Sequence, residues 1–345
     1  MGRRSATKFR DIVGMIKDKA WHSRAALSPL SKPHVMALLR ATTHHPSTPP
    51  EEKYLLELLS YGRQSRSAAS AVIESLMDRL QTTGDAPVAV KCLLTIHHII
   101  RRGSFILHDQ LSVFPWAGGR NYLKLSNFRD GRTSFTWEIS SYVRWYARYI
   151  EDLLSTSRML GFFICSNSSI LEKKKSEEAV TGRLNSHLLR DIDSLVYLIE
   201  DTCKMPESTT HLHTTELLRR VKSLVAEDHV FIMNEVTVRV KEFRERLGLL
   251  NFGESIELVC ALKRLEICEE KLSTMFELKV SMESLWGLVR EPKCNLRKGE
   301  EVAERRVVRG SESARYDRRR TLRSTELVNF SSGRLLSLPI SLAEE

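Results

Sequence analysis

The sequence predicts an all-α protein, and three observations carry that prediction. Apolar residues recur at three- and four-residue spacing along successive segments, each bounded by Gly, Pro or a capping residue. No strand-like alternation of any length interrupts them. One segment, Ala86 to Arg102, is apolar nearly all round through Val88, Val90, Leu93, Leu94, Ile96, Ile99 and Ile100. A helix of that kind is buried on most sides, so other helices must cover it. Asp85 supplies an N-terminal acid, Pro87 fits a first turn, and Gly103 follows Arg101-Arg102 as a stop. Lys91 and two histidines interrupt the segment, and it is too short to cross a bilayer. It is the hub of a soluble helical domain.

The other elements follow in order. Phe9 to Leu27 reads as a basic amphipathic helix, with Phe9, Ile12, Val13, Ile16 and Ala20 on its apolar side. Pro33 opens a helix to about Thr43, followed by His-His-Pro-Ser-Thr-Pro-Pro. Pro50 is placed at the first position of the next helix, with Glu51 and Glu52 in its first turn, where the dipole favours acids. That helix stops at Gly62, and Ser67 to Leu80 forms another before the hub. Phe105 to Val113 gives a short helix, and Phe114 to about Ser134 a long irregular connection of the kind that is functional or ordered. Thr136 to Ser155 is a strong helix with Trp137, Val143, Tyr146, Ile150 and Leu153/Leu154 on its apolar side. Its Arg144, Arg148, Glu151 and Asp152 are spaced for pairs along the helix. Leu184 to Cys203, Leu217 to Leu247 (one helix or two) and Ile256 to Met282 after Gly253 complete the pattern. Beyond Pro292 it dissolves into Arg, Glu and Ser, a disordered tail.

Composition bounds the function. The 345 residues allow one large domain or two small ones, and the apolar (42%) and charged (28%) shares are those of a globular chain. There is no run of eighteen apolar residues, no signal-peptide core at the N-terminus, and no myristoylation pattern, since Ala6 stands where Ser or Thr is wanted. Six cysteines without CxxC spacing read as reduced cytosolic thiols. The net charge of +10 is uneven: residues 1–160 hold 23 basic against 13 acidic side chains, while 161–290 hold 18 against 21. The N-terminal half therefore faces something anionic.

Chemistry is sparse. GxSxG, HExxH and Gly-rich nucleotide motifs are missing, so neither catalysis nor a cofactor is expected. His97 and His98 point about 100° apart on a helix. Cys203 with His211 and His213 lacks a fourth metal ligand, so no metal is expected. A binding protein remains. One class is a nucleic-acid-binding helical protein, motivated by the pI of about 9.4 and by Arg318-Arg319-Arg320; the alternative is a membrane adaptor, for which no nucleic-acid partner is expected.

Three stretches carry a resemblance. Arg40-Ala-Thr-Thr-His44 with Pro50-Glu-Glu-Lys-Tyr-Leu55 resembles the lipid-binding signature of ANTH domains, in the clathrin assembly protein family. Val88 to His98 is similar to that family's central helix, and Asn121 to Asp130 with Tyr142 to Tyr149 to its loop-helix segment, in wording closest to the plant members. The resemblance implies an ANTH-type α-helical solenoid over residues 1–285, with 286–345 as a short, basic, disordered tail. It implies a cytoplasmic, peripheral membrane adaptor of coated pits, clathrin-coated vesicles and the Golgi. Such an adaptor binds phosphatidylinositol 4,5-bisphosphate, promotes clathrin assembly in endocytosis, and takes vesicle SNARE helices in a groove of its later helices. The implied lipid ligands are Arg40, Lys53 and Tyr54.

Two departures accompany it. Glu51 stands where the family places a lysine, and the loop before it is one residue longer. NPF, DPF and DLL-type hooks are missing after residue 285, and Leu335-Leu-Ser-Leu338 meets Pro339 where a clathrin box needs an acid. Asp152-Leu153-Leu154, inside a helix, reads as core.

Overall fold

Helices follow one another along the chain in the computed structural model, which describes residues 14–20, 23, 33–114, 120–166, 180–207, 215–276 and 287. Residues 14–20 are helical. After them come α1 (Pro33–Ala41), α2 (Glu52–Ser60), α3 (Arg66–Thr82), α4 (Ala86–Arg102) and α5 (Phe105–Val113). Then follow α6 (Ser134–Leu160), α7 (Asn185–Thr202), α8 (Glu216–Glu245) and α9 (Phe252–Phe276). Among the described residues there is no strand. The predicted N-terminal helix beyond residues 14–20 and the predicted tail lie outside the described residues.

Local chemistry sets most boundaries. The side chains of Ser65, Asp85 and Ser104 accept from the backbone N–H groups of Ala68, Val88 and Leu107, capping α3, α4 and α5. Such a cap contributes about 1 kcal/mol. Thr133 and Thr136 form a capping box at α6, and Gly161, at φ 86°, ends that helix in the left-handed region glycine tolerates. These two signals make α6 longer than Thr136 to Ser155. Gly253 does not bound α9 but lies inside its first turn, because Asn251 and Glu254 exchange side-chain-to-backbone bonds of 2.9 and 3.0 Å. Leu217 to Leu247 resolves as one helix, α8.

The hub is α4. Sixteen of its seventeen residues are buried, and α2, α3, α5, α6 and α8 all pack on it. From there the stack continues: α7 contacts α6, α8 and α9, while α1 packs on α2 and α3. The most extensive packing joins helices two apart in the chain, α4 with α6 and α7 with α9, and α3 packs on α5 likewise, so successive helices stack into the solenoid expected. Leu153 and Leu154 are core residues.

Burial on all sides obliges the polar residues of α4 to find partners. His97 Nδ1 lies 2.7 Å from the Tyr146 hydroxyl and His97 Nε2 2.6 Å from Asp228 Oδ2. The Tyr149 hydroxyl donates to the same oxygen at 2.9 Å. Arg101 Nη1 pairs with Glu227 at 2.6 Å and lies 3.7 Å from Asp228 Oδ1. Burial holds His98, and His229 of α8, in the neutral form, with pKa values lowered to about 3 and about 4.

Two expectations for α6 are corrected. Trp137 is 55% exposed, off the apolar side. The charged residues of α6 do not pair along the helix but reach its neighbours. Arg148 bonds Asp201 at 2.8 Å, Arg144 donates to the Phe128 carbonyl, and Glu151 accepts from Asn121. Asp152 is left partly buried, and burial followed by the nearby Asp201 pushes its pKa up to about 7. A carboxyl raised in the folded state contributes stability that is complete below its unfolded pKa and lost as pH rises through 7. Partial solvation discounts the effect to about 1 kcal/mol. Asp152→Asn should therefore stabilise the protein at pH 8 by about that amount and flatten the decline of urea stability from pH 5 to 8. An unaltered pH slope would count against the raised carboxyl.

Candidate functional site

Arg40 occupies the last turn of α1, where the helix dipole favours a cation, and is exposed. Lys53 and Tyr54 are the second and third residues of α2. The structure brings the three together: the Lys53 ammonium lies 4.6 Å and the Arg40 guanidinium 5.8 Å from the centroid of the Tyr54 ring. One half-buried aromatic thus carries two exposed cations from separate helix ends.

Pro50 is not the first residue of α2. Glu51, in extended conformation (φ −69°, ψ 136°), is the N-cap, so the proline precedes the cap. The Glu51 carbonyl accepts from Tyr54 and Leu55 N–H at 3.1 and 3.3 Å, but its side chain caps nothing. It turns to Lys53 instead, 2.7 Å away, and that hydrogen bond raises the lysine pKa. Glu52, the first helical residue, pairs with Arg102 at 2.5 Å and ties α2 to the end of α4.

The loop between α1 and α2 is fixed from below by residues that periodicity did not single out as functional. Lys91, fully buried in α4, donates to the Thr43 carbonyl (3.0 Å), the Thr43 hydroxyl (2.9 Å) and the His45 carbonyl (2.8 Å). Burial lowers its pKa to about 8, against the pull of Asp18 and Asp85. Arg79 of α3 donates to the Thr42 hydroxyl and carbonyl at 2.5 and 2.7 Å. Asp18 accepts from the His44 backbone N–H at 3.0 Å and lies 2.6 Å from its ring Nδ1. Burial works to raise the Asp18 carboxyl, but these His44 contacts hold it below the usual range. Finally Leu217 N–H, in α8, donates to the Ser47 carbonyl at 3.0 Å. The available signal was the lone lysine in the otherwise apolar hub.

Lys91→Met removes three bonds and a desolvated charge together. Stranded carbonyls cost about 1–3 kcal/mol each, and loss of the buried charge offsets part of that. A net destabilisation of about 2 kcal/mol is expected by urea denaturation. Vesicle affinity should also fall severalfold, because Arg40 and Lys53 lose their fixed separation. Wild-type values in both assays would show that the loop does not depend on Lys91.

Among the described residues there is no group of three or more His, Cys, Asp or Glu able to hold a metal ion. Cys203 caps the C-terminus of α7, while His211 and His213 lie outside the described residues. No helix of the described residues is long and apolar enough to cross a membrane.

Residues 35–226 match the ANTH domain, a span that includes both the Arg40–Tyr54 corner and the hub helix. The chain belongs to the ANTH domain family. An Arabidopsis thaliana protein named as a clathrin assembly protein is 49% identical over 351 residues, covering 97% of this chain and 95% of the relative. Two more from that plant, similarly named, are 32% identical over 290 residues and 28% identical over 307, covering 81% and 82% of this chain and 83% and 97% of their own. In this ANTH protein Glu51 therefore sits within the matched region, as the salt-bridge partner of Lys53.

Proposed function

We propose that this ANTH protein is a peripheral membrane adaptor that docks on phosphatidylinositol 4,5-bisphosphate through Arg40, Lys53 and Tyr54. In this reading it promotes clathrin coat assembly during endocytosis, on the cytoplasmic face of coated pits, coated vesicles and the Golgi. Vesicle SNARE helices are its proposed cargo. The observation that carries the docking step is the exposed corner where two cations share the Tyr54 ring above a braced loop. The α2 N-terminus adds backbone N–H groups suited to phosphate oxygens. The clathrin step rests on the names of the relatives. Sedimentation with phosphatidylcholine vesicles, with and without the bisphosphorylated lipid, tests the docking. Parallel binding to unrelated RNA and DNA tests the nucleic-acid alternative; tighter binding there would overturn the membrane reading. Cage formation from purified clathrin, with and without the protein, tests the coat step.

Glu51 sharpens the test. Its carboxylate competes with phosphate for Lys53, so Glu51→Lys both frees that lysine and adds a cation beside the headgroup. One charge near an anionic membrane changes affinity roughly fivefold, and exposure to salt moderates this. Glu51→Lys should bind bisphosphoinositide vesicles severalfold more tightly at low salt, and the gain should shrink as salt rises. Equal affinity at low salt would place the headgroup elsewhere.

A further inference from the structure

A second cationic site shares no residue with the Arg40–Tyr54 corner. The connection before α6, the middle of α6 and the residues after α7 enclose a cleft of ≈ 510 Å³. Four cations line it, Lys124, Arg144, Arg148 and Lys204, against one acid, Glu151. That carboxylate is already held by the Asn121 amide at 2.5 Å.

The four charges are not equally satisfied. Arg148 Nε bonds the fully buried Asp201 at 2.8 Å, and Lys204 lies 3.6 Å from the same oxygen, so one acid serves both. Arg144 has only a carbonyl partner, that of Phe128 at 2.9 Å, and Lys124 is exposed. Neither has a carboxylate within ion-pair distance among the described residues. Arg129 stands nearby, its own donors on the Ser126 and Phe128 carbonyls. Burial, then the neighbouring Arg129, lowers the pKa of Arg144. Four cations against Glu151 and the shared Asp201 leave the cleft with an excess of positive charge, which is unfavourable until an anion joins it.

The chemistry of the lining narrows the anion. Two guanidinium forks match phosphate oxygens bidentately, and lysines add point charge. Leu123, Leu125, Trp145 and Pro206 give the cleft apolar walls, and its volume lies in the range of small-molecule sites, roughly 300–1,000 Å³. Cations converging from three elements onto a bounded cleft fit a compact ligand better than an extended phosphopeptide. We infer that the cleft of Lys124, Arg144, Arg148 and Lys204 binds a compact polyphosphorylated ring, free in solution or carried as a lipid headgroup.

Calorimetric titration of the full chain with inositol hexakisphosphate tests this separately from the docking corner. Lys124→Gln with Arg144→Gln should weaken one site at least tenfold and leave the circular dichroism unaltered. Because Arg144 also holds the connection through Phe128, Lys124→Glu with Lys204→Glu, at two exposed side chains, gives an independent variant expected to do the same. Arg40→Gln with Lys53→Gln should leave the cleft site intact; a single site lost only in the cleft variants would support the cleft and refute the corner. Vesicles carrying phosphatidylinositol 4,5-bisphosphate separate the two sources: residual binding of the corner variant that needs Lys124 and Lys204 marks a lipid headgroup, and none marks a free ligand. Wild-type stoichiometry and affinity in both cleft variants would overturn the inference. So would a phosphoserine peptide that binds there where the hexakisphosphate does not.

Discussion

Arg40→Glu combined with Lys53→Glu should abolish sedimentation with vesicles containing phosphatidylinositol 4,5-bisphosphate. The two side chains are exposed and meet only through the Tyr54 ring, so the double change swings four charge units at one small corner. With each unit worth roughly fivefold near an anionic surface, affinity should fall on the order of several hundredfold at low salt. The fall should lessen as ionic strength rises, since the screening length is about 10 Å at 0.1 M. Folding should survive. Arg40 is exposed beside the Tyr54 ring, and the ion pair of Lys53 is with exposed Glu51, a surface bridge of little weight. Circular dichroism and urea midpoints close to wild type are the control. Vesicle binding retained by the folded double variant would remove Arg40 and Lys53 from the headgroup site. Since Lys53→Glu also leaves three acids in a row at positions 51–53, Glu51→Gln in the same background should restore part of the binding and show that electrostatics sets the effect.

The hub helix was legible because its signals are local. Acid, proline, apolar run and glycine stop lie within about twenty residues, and the helix runs from Ala86 to Arg102 as they indicate. The grouping of Arg40, Lys53 and Tyr54 was visible only through resemblance, since nothing periodic joins a helix end to the next helix start. What the sequence hid is tertiary. Pro50 suits a first helical position, but Glu51 takes the cap and displaces it by one step. Arg144, Arg148 and Glu151 are spaced for pairs along α6, yet Phe128, Asp201 and Asn121, from other segments, outcompete those pairs. The Lys91 bonds to Thr43 and His45 cross almost fifty residues of chain, and no window of periodicity spans that distance. Trp137 shows the converse: Thr136, Ile139 and Ser140 beside it are buried, so the aromatic stands on the other face of α6 and is left exposed.

Asp228→Ala should be the most damaging single substitution for stability. Asp228 is a fully buried acid of α8 facing the hub. Its carboxylate serves His97 at 2.6 Å, the Tyr149 hydroxyl at 2.9 Å and Arg101 at 3.7 Å, and its charge acts on the buried Cys165 thiol. Around it burial drives the Tyr146, Tyr149 and Cys165 pKa values well up, so these groups stay protonated and donate. The acid is therefore the common partner of His97 and Arg101 on α4 and of Tyr149 on α6. Removing it strands a buried histidine and a tyrosine hydroxyl at once and leaves the buried Arg101 with Glu227 alone. Breaking a buried pair by deleting one partner costs about 3–5 kcal/mol, and the lost volume adds to it. For a domain of this size that corresponds to a fall of roughly 10 °C in the melting temperature. Asp228→Asn keeps the shape and one acceptor oxygen, so it should cost less than the alanine. A loss under about 1 kcal/mol for the alanine would mean that water replaces the carboxylate and the cluster is not dry. The corner bearing Arg40 and Lys53 is held by Lys91 and Arg79, not by Asp228. Vesicle affinity of the folded fraction should therefore stay within about twofold of wild type, as expected for sites without shared partners.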